Sequence, residues 1–329
     1  MSTAPANVVK INPDSPQRAV IERAAAIIRD GGLVAFPTET VYGLGAHALD
    51  PSAVRKIFAV KERPGWDPLI VHVRDVAMAR ALMKRQLPQF DLLVERFWPG
   101  ALTLVVEKSG QVPSEVTARR PTVALRMPRH PVAAALLTAA DLPVAAPSAN
   151  RFGRPSPTCA KHVIEDLGDR VDLILDAGPT PMGVESTVLD LTQVPPAILR
   201  PGGVSREELE TVLGDVRVAA GVSDEVAREG LAGPGMTLKH YAPRALMELF
   251  ETENQLEARA KEIRSQGKRI GVVASSTDAT ALARTLFAQL RDLDAQSLDV
   301  ILCVLPTAEG IGLAVRDRLQ RAAGLPVGR

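Results

Sequence analysis

Apolar positions along the first 215 residues come in short runs broken by turn-forming residues. "QRAVIERAAAIIRD" (17–30) has helical spacing and stops at Gly31-Gly32, after which "LVAF" (33–36) reads as a buried strand. "DPSAVRKIFAV" (50–60) opens with Asp50 at a cap position and Pro51 at the first helical position, with Val54, Ile57 and Phe58 on one face. Strands are predicted at 68–73, 101–107, 122–128, 142–150, 171–178, 186–191 and 197–203. Helices at about 76–86, 89–97, 131–140, 159–167 and 205–214 lie among them. The pattern predicts a strand-rich, mixed α/β domain over 1–215, without regular βα alternation.

From about 216 to 243 the periodicity fades and glycines collect, which predicts a linker. Beyond it the pattern is simpler. "ALMELF", "RIGVVAS" and "DVILCVLP" read as strands, each followed by a helical stretch, the last being "IGLAVRDRLQRAAG". Short strands alternating with helices predict a small Rossmann-like parallel α/β domain over 244–329. No internal repeat relates the two halves.

A length of 329 residues accommodates two domains of ordinary size, and 46% hydrophobic with 23% charged residues is the composition of a globular protein. The formal charge of +1 excludes a global basic field of the kind that marks bulk nucleic-acid affinity. Cys159 and Cys303 make neither a disulfide framework nor a zinc spacing, which fits a reducing compartment. The start has no secretory pattern and no apolar run approaches the roughly 18 residues of a membrane span, so a cytoplasmic location without a membrane partner is expected.

"GLGAHA" (43–48) matches a dinucleotide-binding spacing, but Pro37 ends the strand too early and the helix caps at Asp50-Pro51, after the glycines. No Gly-Lys-Ser/Thr follows, which removes a phosphate-loop reading. More informative are polar residues set into apolar strands. In "PLIVHV" (68–73), Leu69, Val71 and Val73 share one face and leave Ile70 and His72 on the other. In "TVALRMP" (122–128), Val123, Leu125 and Met127 share a face and Arg126 points opposite. A buried arginine needs a partner from elsewhere in the chain or from a ligand's carboxylate or phosphate. Taken alone, each residue is more often structural: a hydrogen-bonded core histidine, or an edge-strand arginine reaching solvent. Lys61 and Arg63, in "KERPGWDPL" (61–69), have the charge to clamp a polyphosphate or to cap the preceding helix. "PSAN" (147–150), Ser156, Ser186 and Arg200 place short polar groups and a cation at strand ends, where turn chemistry is the bland explanation.

Taken in order, "PTETVYGLG", K-x-R-P…PL-x-V-H, ALR-x-P, PSAN-x-x-G-x-x-SPT, ESTV, LRPG and PGM…HYAP resemble the Sua5/YrdC family of threonylcarbamoyl-AMP synthases. The added C-terminal α/β region is similar to the two-domain Sua5 branch. The resemblance implies that L-threonine, bicarbonate or CO2, and ATP give threonylcarbamoyl-adenylate and pyrophosphate. A separate transferase system then modifies adenosine 37 of ANN-decoding tRNAs, so tRNA contact is not required for this step. The implied chemistry is positioning and charge stabilisation without a covalent nucleophile. The resemblance assigns Thr40, His72, Arg126 and Ser186 to threonine. Lys61, Arg63 and Asp67 go to ATP, Lys61 and Arg63 as the catalytic cations on its phosphates, and Ser148, Asn150 and Ser156 to the adenylate. Thr122 and Arg200 are further implied nucleotide contacts, and His240 and Tyr241 belong to a linker that closes over the site. Mg2+ is implied with ATP, with no metal ligand assigned to a protein side chain.

Two residues depart from the family's loop: Glu62 stands where glycine is usual, and Asp67 where asparagine is usual. A carboxylate near ATP phosphates needs a neutralising partner. Around Gly233 and Leu238 the linker also departs from the usual form. The competing reading is an RNA-binding or regulatory protein that shares the fold without synthesis.

Overall fold

The computed structural model describes residues 7–220, 231, 233, 241–274, 276 and 278–325. One sheet is built from β1 (Val8–Lys10), β2 (Val34–Pro37), β3 (Tyr42–His47), β4 (Ile70–His72), β5 (Leu102–Glu107), β6 (Thr122–Arg126), β7 (Val144–Ala145), β8 (Leu173–Asp176), β9 (Thr187–Asp190), β10 (Ala197–Arg200) and β11 (Arg217–Val218). Its order is β1-β8-β2-β3-β7-β4-β6-β5-β9-β10-β11, with parallel and antiparallel neighbours mixed. Helices α1 (Arg18–Arg29), α2 (Pro51–Lys61), α3 (Val76–Ala81), α4 (Pro88–Phe97), α5 (Pro131–Ala140), α6 (Ala160–Leu167) and α7 (Arg206–Leu213) accompany it.

The expected cap on α2 is present: Asp50 accepts from Ser52 N at 2.8 Å, and Pro51 opens the helix. Glu62 ends it in the left-handed region, φ 55°. That geometry explains why glycine suits position 62. Glu62 itself points outward, pairing with Arg151 and with Arg170 at 3.3 Å. It lies away from the cavity described below.

"PTETVYGLG" proves to be a β-hairpin. Residues 38–41 form its turn, and β3 runs back antiparallel along β2 with Phe36 opposite Gly43. Tyr42, Leu44 and Ala46 enter the main core. On the other face, a Cβ on Gly45 would lie 2.8 Å from Phe36 and 3.0 Å from Val144. Glycine is required there by close packing, not by turn geometry. The strand expected over 142–150 is shorter than expected, confined to Val144–Ala145, and Ser148 then bridges to Gly43.

A second, three-stranded parallel sheet has the order β12-β14-β13, from β12 (Leu246–Phe250), β13 (Ile270–Val272) and β14 (Val300–Val304). Helices α8 (Glu253–Ser265), α9 (Ala279–Asp294) and α10 (Ile311–Ala322) connect and cover these strands. The two units share an apolar seam: Val41 and Val184 of the first pack with Leu282, Leu286 and Phe287 of α9. At Gly183 (φ 81°) a Cβ would stand 2.4 Å from the Ala283 carbonyl, so α9 approaches backbone to backbone. No helix among the described residues is long and apolar enough to cross a membrane.

Candidate functional site

Alternation along β4 and β6 sets up the site. Leu69, Val71, Val73, Val123 and Leu125 are buried in the main core, with Met127 packed against it. The opposite face carries Ile70, His72 and Arg126, and these line a cleft. Because β4 and β6 are parallel neighbours with His72 opposite Arg126, the two side chains stand side by side. The hairpin turn adds Thr38 and Thr40, and the segment just before β9 adds Glu185 and Ser186. The four residues assigned to threonine therefore converge on one cleft.

Arg126 is paired within the chain. Its Nη2 donates to Glu39 Oε1 at 2.7 Å and its Nε to the Gly100 carbonyl at 3.2 Å. Glu39 Oε2 also accepts from the Arg129 amide at 3.0 Å. Burial pushes the Glu39 carboxyl up, but Arg126 outweighs it and holds the group below its ordinary value. The charge that the strand pattern left unpaired is thus compensated by the hairpin turn. His72 is lowered to about 3, first by burial and then by Arg126, so its imidazole is neutral at physiological pH. Thr38 Oγ1 gives its proton to the Val41 carbonyl at 2.7 Å, which makes Thr40 the donor in the 2.8 Å bond between the two hydroxyls. Ser186 and Thr103 share a 2.8 Å hydroxyl bond.

Arg63, Ser148, Arg200 and Tyr241 also line the cleft. Arg63 is buried and pairs with Asp67 Oδ1 at 2.9 Å, while its Nε donates to the Asp67 carbonyl. Asp67 is therefore neutralised by Arg63 and does not line the cleft. Arg200 Nη2 donates to the Ser186 carbonyl at 2.9 Å and to its hydroxyl at 3.3 Å. Arg200 Nε is buried with no hydrogen-bond partner among the described residues. Both guanidiniums are lowered by burial, although neighbouring acids and Tyr241 oppose the shift. A Cβ on Gly202 would fall 2.3 Å from the Thr187 amide nitrogen, so the "LRPGG" turn that carries Arg200 lies directly on the backbone of "EST".

Several assigned residues are not brought to the surface of the cleft. Lys61 is buried behind it, where its ammonium donates to the Ser148 carbonyl at 2.6 Å and to the Asn150 carbonyl. Burial, then Arg63, pushes that ammonium well below its ordinary range. Asn150 is spent on the loop, its amide donating to the Arg151 and Arg154 carbonyls. Ser156 is buried and reaches the cleft only through Glu185, donating to Oε1 at 2.5 Å. Thr122 begins β6, about 13 Å of strand from Arg126, and lines a separate small cavity with Arg120 and Leu231. His240, Gly233's successors to 238 and most of the linker lie outside the described residues.

Glu39, Glu185 and Arg318 were not assigned from the sequence. Glu185 lines the cleft, and Arg318 Nε donates to its Oε2 at 2.8 Å across 133 residues. Burial pushes Glu185 up, yet Arg318 and Arg200 bring it down to about 2. Glu39 and Glu185 both sit inside the quoted motifs, so their positions were visible. Nothing local in "GLAVRDRLQ" marks Arg318. The described residues contain no group of three or more His, Cys, Asp or Glu able to hold a metal ion.

Residues 26–202 match the Sua5/YciO/YrdC family model, described as telomere recombination, and residues 204–324 match the C-terminal domain of threonylcarbamoyl-AMP synthase. The chain is 45% identical over 320 residues to threonylcarbamoyl-AMP synthase of Pyrococcus abyssi, covering 92% of this chain and 94% of that protein. To the Bacillus subtilis threonylcarbamoyl-AMP synthase it is 41% identical over 334 residues, covering 96% and 95%. The crystal structure of P. abyssi Sua5 complexed with L-threonine superposes with a TM-score of 0.90 at 41% identity, covering 96% of this chain and 97% of that one. The chain belongs to the Sua5/YciO/YrdC family, in the form that carries the Sua5 C-terminal domain.

Proposed function

We propose that this protein is a cytoplasmic L-threonylcarbamoyladenylate synthase, forming threonylcarbamoyl-AMP and pyrophosphate from L-threonine, bicarbonate or CO2, and ATP. The carrying observation is the convergence of Thr40, His72, Arg126 and Ser186 with Arg63, Ser148 and Arg200 around one cleft. Synthases from two organisms that match this chain over more than nine-tenths of its length support the same reading.

In this reading Arg126, anchored by Glu39, takes the threonine carboxylate as a charge-assisted pair. The neutral imidazole of His72 accepts a hydrogen bond beside it without adding a second cation. Threonine's amine nitrogen bonds to the carbon of CO2 and releases a proton, giving a carbamate. A carbamate oxygen then attacks the α-phosphorus of ATP, and the bond to the bridging oxygen breaks as pyrophosphate leaves. Arg63 and the Nε–H of Arg200, which has no partner among the described residues, supply positive charge and a donor where the phosphates carry negative charge. Lys61 acts one layer back, holding the Ser148–Asn150 loop. Mg2+ enters with ATP as part of the substrate. The acids around the cleft do not fit a resident metal, since Glu185, Glu39 and Asp67 are each committed to an arginine. The released adenylate is the substrate of a separate transferase that acts on tRNA.

The test is direct recovery of the product. Purified protein given ATP, 13C-bicarbonate and L-threonine is expected to yield an AMP adduct that carries both threonine and one 13C. ATP turnover that yields no such adduct would overturn the reading.

A further inference from the structure

The two units are already joined by apolar packing, with Val41 and Val184 against α9. Buried ion pairs are a poor way to strengthen such a seam, because desolvation cancels most of their attraction. Yet α10 sends a fully buried arginine across it. Arg318 Nε donates to Glu185 Oε2 at 2.8 Å, Nη2 donates to the Pro201 carbonyl at 2.9 Å, and Nη1 bonds Asp317. Arg321 Nε also donates to Asp317, to Oδ1 at 3.0 Å and to Oδ2 at 3.1 Å. The Arg318 guanidinium also lies 5.3 Å from the centre of the Tyr241 ring. Both of its contacts in the first domain are therefore to the segments that build the cleft, "VEST" and "LRPGG".

Glu185 is the receiving group, and its carboxylate is shared. One oxygen takes Arg318 and the other takes the Ser156 hydroxyl at 2.5 Å. Arg200, whose charge also acts on Glu185, directs its Nη2 to Ser186 instead. Without Arg318, Arg200 is the remaining cation whose charge lowers the buried carboxylate. Pairing the two draws Arg200 off Ser186 and disturbs the threonine and phosphate sides of the cleft together. We propose that Arg318 is a positioning residue for the reaction: acting through Glu185, it fixes Ser156 and leaves Arg200 with Ser186, so the C-terminal domain completes the cleft. This inference rests on the synthase reading for its kinetic arm only.

The experiment uses the full chain as wild type, Arg318→Met, Arg318→Lys, Glu185→Gln and the Glu185→Gln/Arg318→Met double variant. Threonine-dependent pyrophosphate formation, calorimetric binding of threonine and of ATP, and thermal melting are measured on each. Arg318→Met is expected to lower kcat/KM by about tenfold or more at temperatures where it is fully folded, with Arg318→Lys recovering part of the loss. In the Glu185→Gln background, the same Met substitution is expected to change turnover by less than about threefold, because its target is gone. Losses that multiply independently, or a lower melting temperature with unaltered kinetics, would overturn the proposal and leave Arg318 a docking residue. If Arg318→Met does not fold, the cycle is run with Arg318→Lys and read in the same way. A wild-type protein without threonine-dependent pyrophosphate formation would sink the synthase reading. The binding arm then decides alone, and threonine and ATP affinities unchanged by the Arg318 substitution would overturn the proposal.

Discussion

Glu39 and Arg126 form a buried ion pair, 2.7 Å from oxygen to nitrogen, between a hairpin turn and a central strand 87 residues further on. The pair fixes the guanidinium that faces the cleft, so in the proposed reading the acid acts on threonine binding through Arg126. Glu39→Gln is expected to raise the threonine KM by about tenfold or more while moving the ATP KM by less than about threefold. Steady-state kinetics with each substrate varied in turn checks this. Arg126→Ala leaves Glu39 buried without its counter-charge and is expected to cost about 3–5 kcal/mol in stability by urea unfolding.

His72 is expected to stay neutral in the folded protein across the physiological range, because burial and Arg126 hold it at about 3. Its Cε1 proton resonance should not titrate between pH 8 and pH 5. The sign of the linkage follows: the unfolded chain binds a proton near the ordinary 6.5 and the folded chain does not, so stability falls as pH drops below 6.5. A titration midpoint between 6 and 7 for this resonance would contradict the placement.

Glu185 adds to acid sensitivity at lower pH. Its folded value of about 2 lies below the ordinary 4.5, so its contribution is complete above about pH 5 and is lost as pH falls towards 2. The full contribution is about 3 kcal/mol. Comparison of unfolding free energies at pH 6 and pH 3 should show a smaller acid loss in Glu185→Gln than in wild type.

Lys61→Met is expected to weaken ATP binding by loosening the loop that carries Ser148, since it removes the donor to the Ser148 and Asn150 carbonyls. A loss of about 1–3 kcal/mol in stability should accompany it. Unchanged ATP affinity by calorimetry would remove Lys61 from the nucleotide side altogether.

Gly183→Ala is expected to lower the melting temperature and to impair activity, because the new methyl group meets the α9 backbone at 2.4 Å in a left-handed conformation. Truncation near residue 215 should act in the same direction, exposing Val41 and Val184 and removing Tyr241 and Arg318 from the site. A fragment with full activity would contradict the role given to the second domain.

Much of the site was legible in strand alternation. The faces of "PLIVHV" and "TVALRMP" put His72 and Arg126 on one side of the sheet, and the register makes them neighbours. The α2 cap and the simple α/β rhythm after residue 244 were equally plain. β3 was not, because Gly43 and Gly45 lower its strand signal while serving close packing that only the folded sheet reveals. Lys61 reads as a surface cation in a polar loop, and its burial depends on carbonyls nearly 90 residues away. Arg318 shows the limit most clearly: its partner lies in another domain, and no pattern within one helix encodes that distance.

Pyrophosphate release from ATP in the presence of bicarbonate, measured with L-threonine, with L-serine and with neither, separates a synthase from a protein that only shares the fold. A synthase releases pyrophosphate in strong dependence on threonine and far less on serine. Release independent of threonine, or none from folded protein that still binds ATP, would contradict it.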